Sequence, residues 1–342
     1  MKGLLLAEPG VLRSIDLPAP PAPGPGEALV RVHRVGVCGT DLHAFRGRQP
    51  FFTYPRILGH ELGVEVLGTG PGVTHVGAGD RCSVEPYLNC GHCIACRRGK
   101  PNCCAKLQVM GVHIDGGLRE SLVLPAAKLH PSRSLSFDQL ALVETLGIGA
   151  HAVERASVSA GETVAVVGAG PVGLSVIQFA RAAGARVLAV DLNARRLAFC
   201  RERLGLSADD AIDLSTTPDA AARLAALTGG DLPTAVFDAT GNAASMAAAF
   251  NLPAHGGRLV LVGLFPGDLT FNDPAFHRRE LTLLASRNSR PEDFRRIVAQ
   301  VESGQVDTTP WITHRADLDE VPRHFAAWTE PASGVLKAMI RI

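Results

Sequence analysis

The sequence predicts a two-domain α/β protein. A doubly wound parallel sheet is inserted into the sequence of a β-rich domain, whose last elements follow the insertion. Up to about residue 150, β-branched runs end at glycine and proline turns, as in EALVRVHRVGVC. From Glu162 onward, short apolar strands alternate with alanine-rich helices, as in TVAVVG followed by VGLSVIQFARAAG. This alternation is typical of a parallel sheet covered by helices. After about residue 285, two helical segments and a last strand, GVLKAMIRI, look like a return to the first domain.

The predicted boundaries are 1–150 for the β-rich domain, completed by 286–342, and 151–285 for the parallel-sheet domain. The 342 residues are 46% hydrophobic and 20% charged, with a formal net charge of +1. This balance is ordinary for a globular protein and argues against a nucleic-acid partner. The longest apolar run is interrupted by GAGPVG, which argues against a membrane span. The N-terminal MKGLLLAEPG is too short for a signal peptide, so we expect a cytoplasmic protein.

The glycine triplet in VAVVGAGPVGL indicates a dinucleotide site, because it follows an apolar strand and opens a helix. Gly168 allows a tight turn, Gly170 lets the backbone approach a pyrophosphate, and Gly173 lets helix pack on strand. Asp191 lies 18 residues after Gly173, where a carboxylate binds ribose hydroxyls and repels a 2′-phosphate. We therefore predict NAD rather than NADP, with nearby arginines able to soften the preference. The predicted cofactor-binding residues are Gly168, Gly170, Pro171, Val172, Gly173, Asp191 and Arg196.

A cysteine cluster, CGHCIACRRGKPNCC, holds five of the eight cysteines of the chain. In a large chain without a secretion signal, such clusters more often bind metal than form disulfides. Cys90, Cys93, Cys96 and Cys104 have the spacing C-x2-C-x2-C-x7-C, which suits four thiolates around a structural Zn²⁺. Cys103 is the alternative to Cys104. A ferredoxin-like iron–sulfur loop is the competing interpretation, although such loops usually end in C-P.

Two further stretches become interpretable beside these motifs, namely VCGTDLH at residues 37–43 and GHE at residues 59–61. With the glycine triplet, the cysteine loop and VETLGIGAHA, they closely resemble the zinc-dependent medium-chain dehydrogenase family over essentially the whole chain. The resemblance implies a GroES-like catalytic domain and a Rossmann NAD-binding domain. It also implies one catalytic and one structural zinc ion per chain, and a homodimer or homotetramer.

The resemblance assigns a second metal site to residues of this chain. Cys38 and His60 match the catalytic zinc ligands. Glu144 falls where the family has its third ligand, and Glu61 in this family either binds zinc or lies just behind it. Three protein ligands and an open position are what a catalytic zinc site needs.

Asp41, Thr40 and His43 match the carboxylate that orients the histidine ligand and the proton relay. A metal-bound imidazole usually donates its other N–H to such a carboxylate. Zn²⁺ lowers the pKa of a bound oxygen by roughly eight to nine units, so an alcohol can lose its proton before its carbon releases hydride. Thr40 can then pass the proton on, and His43, with an ordinary pKa near about 6.5, can hand it to solvent.

The substrate branch rests on RGRQPFFTYPRILGHE and VMGVHIDGGLRE, which most resemble dehydrogenases of sugar acids and polyols. Glu144 favours them over simple alcohol dehydrogenases, which have cysteine there, whereas Thr145 replaces the proline usual in polyol enzymes. We expect NAD-dependent oxidation of a secondary alcohol of a sugar acid or polyol. The alternative is an L-threonine 3-dehydrogenase or a broad secondary-alcohol dehydrogenase. Candidate pocket residues are Arg46, Phe52, Arg56, His113 and Arg287.

Two interpretations come from other classes of protein. A non-catalytic NAD-binding protein of the same fold would have lost Cys38, His60 or Glu144, and all three are present. A redox sensor built on the Cys90–Cys104 loop would release zinc reversibly on mild oxidation, with little effect on hydride transfer.

Overall fold

A computed structural model describes residues 1–217 and 219–342. The chain divides into two compact units, and each has its own apolar core. The first unit consists of Met1–Thr145 and Ser289–Ile342, and the second of Leu146–Asn288. Within the described residues, we find no helix with the length and apolarity that a membrane span requires.

The first segment of the first unit is mostly β-structure. Its strands are β1 (Lys2–Glu8), β2 (Val11–Asp16), β3 (Glu27–Val37), β4 (Arg56–Ile57), β5 (Glu61–Thr69), β6 (Arg81–Val84), β7 (Tyr87–Leu88), β8 (Gln108–Val109), β9 (Ser121–Pro125) and β10 (Leu129–Pro131). Its helices are α1 (Gly39–Phe45), α2 (Ile94–Arg97) and the start of α3 (Phe137–Arg155). Two small sheets have the strand orders β2-β1-β4 and β7-β8.

The second unit is a parallel sheet with helical connections. Its elements are β11 (Thr163–Val167), α4 (Pro171–Ala182), β12 (Arg186–Asp191), α5 (Ala194–Leu204), β13 (Ala211–Asp213), α6 (Ala220–Leu227), β14 (Ala235–Asp238), α7 (Ala243–Ala248), β15 (Arg258–Leu261), α8 (Asp273–Arg278) and β16 (Thr282–Ala285). The strand order is β13-β12-β11-β14-β15-β16, and every pairing is parallel. This order reverses beside β11, as in a doubly wound nucleotide-binding sheet, so the predicted α/β class is confirmed.

The C-terminal segment returns to the first unit. It contains α9 (Pro291–Glu302), β17 (Ile312–Asp317), α10 (Val321–Trp328) and β18 (Lys337–Arg341). β18 joins the main sheet of this unit, whose order is β10-β6-β5-β3-β18-β17, with β9 also on β3. Ala338 lies opposite Val37 in the antiparallel β18–β3 pair. The register therefore brings the start of the last strand to the end of β3.

Strand β3 shows how the sequence positions the residues that follow it. Ala28, Val30 and Val32 are buried and alternate with polar or partly exposed residues such as Arg31, as one face of a sheet requires. Cys38 follows directly, with extended backbone, and acts as the N-cap of α1. The polar stretch VCGTDLH is therefore a strand-to-helix turn.

Candidate functional site

Asp41 closes the first turn of α1. Its Oδ2 atom accepts the backbone N–H of Cys38 at 2.9 Å. Its Oδ1 atom lies 3.7 Å from Nδ1 of His60, which is too long for a hydrogen bond. Both atoms are buried without a hydrogen-bond partner in the described part of the chain. A carboxylate facing a ring nitrogen in this way fits a histidine whose other nitrogen binds a metal.

Cys38, His60 and Glu61 form one group, since their potential ligand atoms all lie within 4.8 Å of one another. Burial lowers the pKa of His60, but the charges of Asp41, Cys38 and Glu144 outweigh this effect, so its pKa is well above the ordinary value. The group is thus surrounded by negative charge that favours a cation. A thiol, an imidazole and a carboxylate are also the donor types that Zn²⁺ prefers, so the residues fit a zinc ion.

Glu61 is held by a lysine that the sequence analysis missed. Nζ of Lys337 lies 2.7 and 2.9 Å from the two carboxylate oxygens of Glu61, and both side chains are fully buried. The same ammonium group donates to the carbonyl of Val37 at 3.2 Å and to the hydroxyl of Thr145 at 3.3 Å. Gly36 lies opposite Glu61, and a Cβ there would stand 2.0 Å from Oε2. Only glycine at position 36 therefore leaves room for this carboxylate.

Glu144 lies outside the group of three and has a partner of its own. Its Oε1 atom accepts a hydrogen bond from the hydroxyl of Tyr87, and both side chains are buried. Burial raises the pKa of Glu144; the charge of Glu61 adds to this, and that of His60 partly offsets it. Glu144 thus lies close enough to His60 to influence its charge state. Its role as a zinc ligand stays a prediction.

Thr40 and His43 lie three residues apart on α1, so their side chains are neighbours on one helix face. Burial lowers the pKa of His43, and the charges of Arg46 and Arg48 lower it further. The imidazole therefore remains neutral to lower pH than a free histidine. A neutral imidazole is the form that can accept a proton.

Two of the three arginines predicted for the substrate pocket, Arg46 and Arg56, already have carboxylate partners. Arg46 Nη2 lies 2.7 Å from Glu330 Oε1, and Arg56 Nη1 lies 3.3 Å from Asp115 Oδ1. Because these guanidinium groups are paired, they are weaker candidates for a substrate carboxylate. Of the other candidates, Phe52 packs on Tyr54 with ring centroids 4.8 Å apart, His113 Nδ1 accepts the N–H of Val109 at 3.1 Å, and Arg287 lies in the second unit.

The cysteine loop forms a second group with metal-ligand geometry. Potential ligand atoms of Cys90, Cys93, Cys96 and Cys104 lie within 4.8 Å of one another, whereas Cys103 is exposed and outside the group. The cysteines of the chain are free, so this group is not a pair of disulfides. Backbone N–H groups, that of Cys96 first, lower the pKa of Cys93 to about 6. Thiolates are the form that binds zinc, so these residues also fit a Zn²⁺ ion.

The glycine turn of the second unit follows β11 and opens α4. Gly168 has a φ of +94°, and a Cβ on Gly173 would stand 1.7 Å from the carbonyl oxygen of Gly168. Both positions therefore need glycine. Pro171 and Val172 are the first two residues of the helix, and Pro171 has no N–H to leave unpaired there. The positive end of the helix dipole is thus available for a pyrophosphate.

Asp191 ends β12 beside this turn. Its carboxylate accepts the backbone N–H of Ala169 at 2.6 Å and that of Asn193 at 2.8 Å. Arg196 Nη1 lies 3.8 Å from the same carboxylate and 3.6 Å from where a Cβ on Gly170 would be. An acid and a guanidinium group therefore flank the place where the ribose and phosphate of a dinucleotide are bound in such folds.

Comparisons with known proteins identify the family of this chain. The sequence matches the alcohol dehydrogenase GroES-like domain over residues 24–134 and the zinc-binding dehydrogenase domain over residues 171–303. It is 44% identical over 295 residues, 86% of each chain, to the L-galactonate-5-dehydrogenase of Escherichia coli K12. It is 33% identical over 319 residues, 89% of each chain, to an L-threonine 3-dehydrogenase of Bacillus velezensis.

A solved structure gives the same answer for the fold. The alcohol dehydrogenase rspB of Escherichia coli CFT073, complexed with NADH, superposes with a TM-score of 0.91 at 30% identity, covering 100% of this chain and 99% of its own. The predicted zinc and NAD cofactors agree with these comparisons. The chain therefore belongs to the zinc-dependent medium-chain alcohol dehydrogenase family, in its sugar-acid and polyol branch.

Proposed function

We propose that this enzyme transfers a hydride from a secondary alcohol of a sugar acid to NAD⁺. The observation that carries the proposal is the group of half-buried Cys38 with buried His60 and Glu61, which has Glu144 beside it. The substrate class is supported by the 44% identity to L-galactonate-5-dehydrogenase. The relatives named L-threonine 3-dehydrogenase are less similar, and threonine is therefore the second candidate.

Each residue has a chemical task in this reaction. Cys38, His60 and one of the two glutamates would hold a zinc ion, which supplies the Lewis acid that makes the substrate hydroxyl acidic. Asp41, whose Oδ1 atom faces Nδ1 of His60 at 3.7 Å, would orient the ring when the other nitrogen binds the ion. The hydroxyl of Thr40 can accept the substrate proton while donating its own.

His43 completes the proton path from Thr40, because it lies on the same helix face and closer to solvent. Its lowered pKa keeps it neutral and ready to accept.

The test is NAD⁺ reduction with a panel of aldonates, polyols, threonine and simple secondary alcohols. Each would be run with intact enzyme, with chelated enzyme and with Glu144→Ala. We expect strong turnover of an aldonate that is lost on chelation. A preference for threonine or a small alcohol would overturn the substrate class, and no turnover despite NAD⁺ binding would overturn the activity itself.

Cofactor choice gives one prediction. Replacing Asp191 by serine should lower the preference for NAD⁺ over NADP⁺, measured as the ratio of kcat/KM values, by at least about tenfold, or about 1.4 kcal/mol. The reason is that the carboxylate repels the 2′-phosphate of NADP⁺. Asp213, which pairs with Asp191 on the neighbouring strand β13, offers the control. Asp213→Ser loses the same charge and should leave the ratio unchanged; an equal change in both variants would contradict the assignment.

The pH profile gives another prediction. Protonation of His43 would block the relay, so kcat/KM should fall on the acid side as pH drops through its pKa. Replacing Arg48 by glutamine removes a charge that lowers this pKa, so the acid limb should move to higher pH. The charge of Arg31 is paired with Glu65 on another strand, and Arg31→Gln is the control. A shift to lower pH, or none, would argue against His43 as the proton acceptor.

We also propose a homo-oligomer in the cytoplasm. β16 is an edge strand of the second unit, and Thr282, Leu283 and Ala285 on it are exposed. An exposed apolar edge favours pairing with another strand, such as the same strand of a second copy. Free cysteines persist in a reducing compartment, which supports the location. Light scattering tests the assembly: Leu283→Lys should shift the enzyme toward monomer, and a monomeric native enzyme would overturn it.

A further inference from the structure

Tyr87 is a buried residue that the proposed reaction has not yet used. Its hydroxyl donates to Oε1 of Glu144, and among the described residues no other side chain donates to this carboxylate. Glu61 differs, because both of its oxygens are bonded to the ammonium group of Lys337. Both carboxylate oxygens of Glu61 therefore have a hydrogen-bond donor, whereas Glu144 is held through one oxygen.

The ring of Tyr87 is fixed from several sides. The residue is 2% exposed, and its strand pairs with Val109 on β8. Its ring meets that of Phe294 edge-on, with centroids 6.4 Å apart. Such packing leaves few rotamers open to the hydroxyl group.

The residues on either side of Tyr87 are anchored as well. Two positions earlier, Glu85 receives a hydrogen bond from Nζ of Lys128 at 2.5 Å and contacts His130 at 3.3 Å. Two positions later, Asn89 accepts from the same Nζ at 3.1 Å and donates to the sulfur of Cys96 at 3.6 Å. Lys128 therefore bonds both ends of this segment, and the cysteine loop accepts a further hydrogen bond from Asn89. These contacts give the tyrosine hydroxyl a defined position.

We propose that Tyr87 is a positioning residue for the reaction proposed above. Its hydroxyl donates a hydrogen bond to Oε1 of Glu144 and thereby orients the other oxygen toward the cation that Cys38 and His60 hold. The inference rests on the proposed function for its catalytic meaning. The expected effect of Tyr87 on metal affinity and ligand geometry, which acts through Glu144, does not depend on which substrate the enzyme uses. Partners of metal ligands in other enzymes typically change metal affinity or activity by about 10–100-fold when removed.

The experiment uses enzyme in which Co²⁺ replaces zinc at the catalytic site, because the visible spectrum of Co²⁺ reports ligand type and geometry. Tyr87→Phe keeps the ring and its contact with Phe294 but removes the donor. We expect a changed cobalt spectrum, metal affinity about tenfold weaker in competition with a chelator, and kcat/KM lower by about tenfold. Tyr54→Phe is the matched control, since its hydroxyl donates to the carbonyl of Ala44, and it should leave the cobalt spectrum unchanged.

A double-mutant cycle with Glu144→Gln tests whether Tyr87 acts through Glu144. If it does, the double variant should bind metal no more weakly than Glu144→Gln alone. Additive losses, or a native cobalt spectrum in Tyr87→Phe, would overturn the proposal. Neither spectrum nor metal affinity needs a substrate. An enzyme inactive on every sugar acid, yet with non-additive metal affinities, would therefore refute the proposed function and leave the positioning role supported.

Discussion

Replacing Cys38 by alanine should lower kcat/KM by about a thousandfold or more, which corresponds to about 4 kcal/mol of transition-state stabilisation. The thiolate is a ligand in the proposed catalytic zinc site, and its loss leaves His60 and one glutamate to hold the ion. The zinc content should fall from two ions to one per chain, because the cysteine loop has its own four ligands. Kinetics and elemental analysis of the same preparation measure both effects.

Cys200→Ala is the matched control for this prediction. Cys200 is fully buried in the second unit, and burial raises the pKa of its thiol to about 12. It is therefore a protonated core residue rather than a metal ligand. This variant should keep both zinc ions and most of the activity. A Cys38→Ala enzyme that retained two zinc ions would show that position 38 is not a ligand.

Much of this site was predictable because its residues are close in sequence. Cys38 and Asp41 lie within one strand-to-helix turn, and the four cysteines of the second group lie within one loop. Local geometry in these segments follows from turn and helix preferences. The doubly wound sheet was predictable for a similar reason, since each strand and helix has its own apolar pattern.

The partners of the two glutamates were not predictable in this way. Lys337 lies 276 positions from Glu61 along the chain, and Tyr87 lies 57 positions from Glu144. In the sequence, GVLKAMIRI is an ordinary apolar strand with two basic residues, and nothing marks Lys337 as different from Arg341. Only the register of β18 on β3 shows that this lysine meets a buried carboxylate. The carboxylate partners of Arg46 and Arg56 are also distant from them in the sequence, so these pairs were not predictable either.

The second large effect, on stability, is expected from replacing Lys337. Replacing Lys337 by methionine should lower the free energy of unfolding of the first unit by about 3–5 kcal/mol, because it leaves the buried Glu61 carboxylate without its counter-charge. Both tryptophans, Trp311 and Trp328, lie in the first unit, so their fluorescence during urea unfolding reports on this unit. Lys2 makes an ion pair of similar length, 2.6 Å to Asp16, but on the surface. Lys2→Met should therefore have a barely measurable effect.

The physical cause can be separated from a simple loss of packing. Methionine fills a volume close to that of lysine, so a cavity is not the main cost. Combining Lys337→Met with Glu61→Gln removes the unpaired charge and should recover most of the lost stability. If the double variant were as unstable as the single one, the lysine would act through the carbonyl of Val37 and the hydroxyl of Thr145 instead. Recovery would establish that the main structural role of Lys337 is to neutralise the buried carboxylate of Glu61.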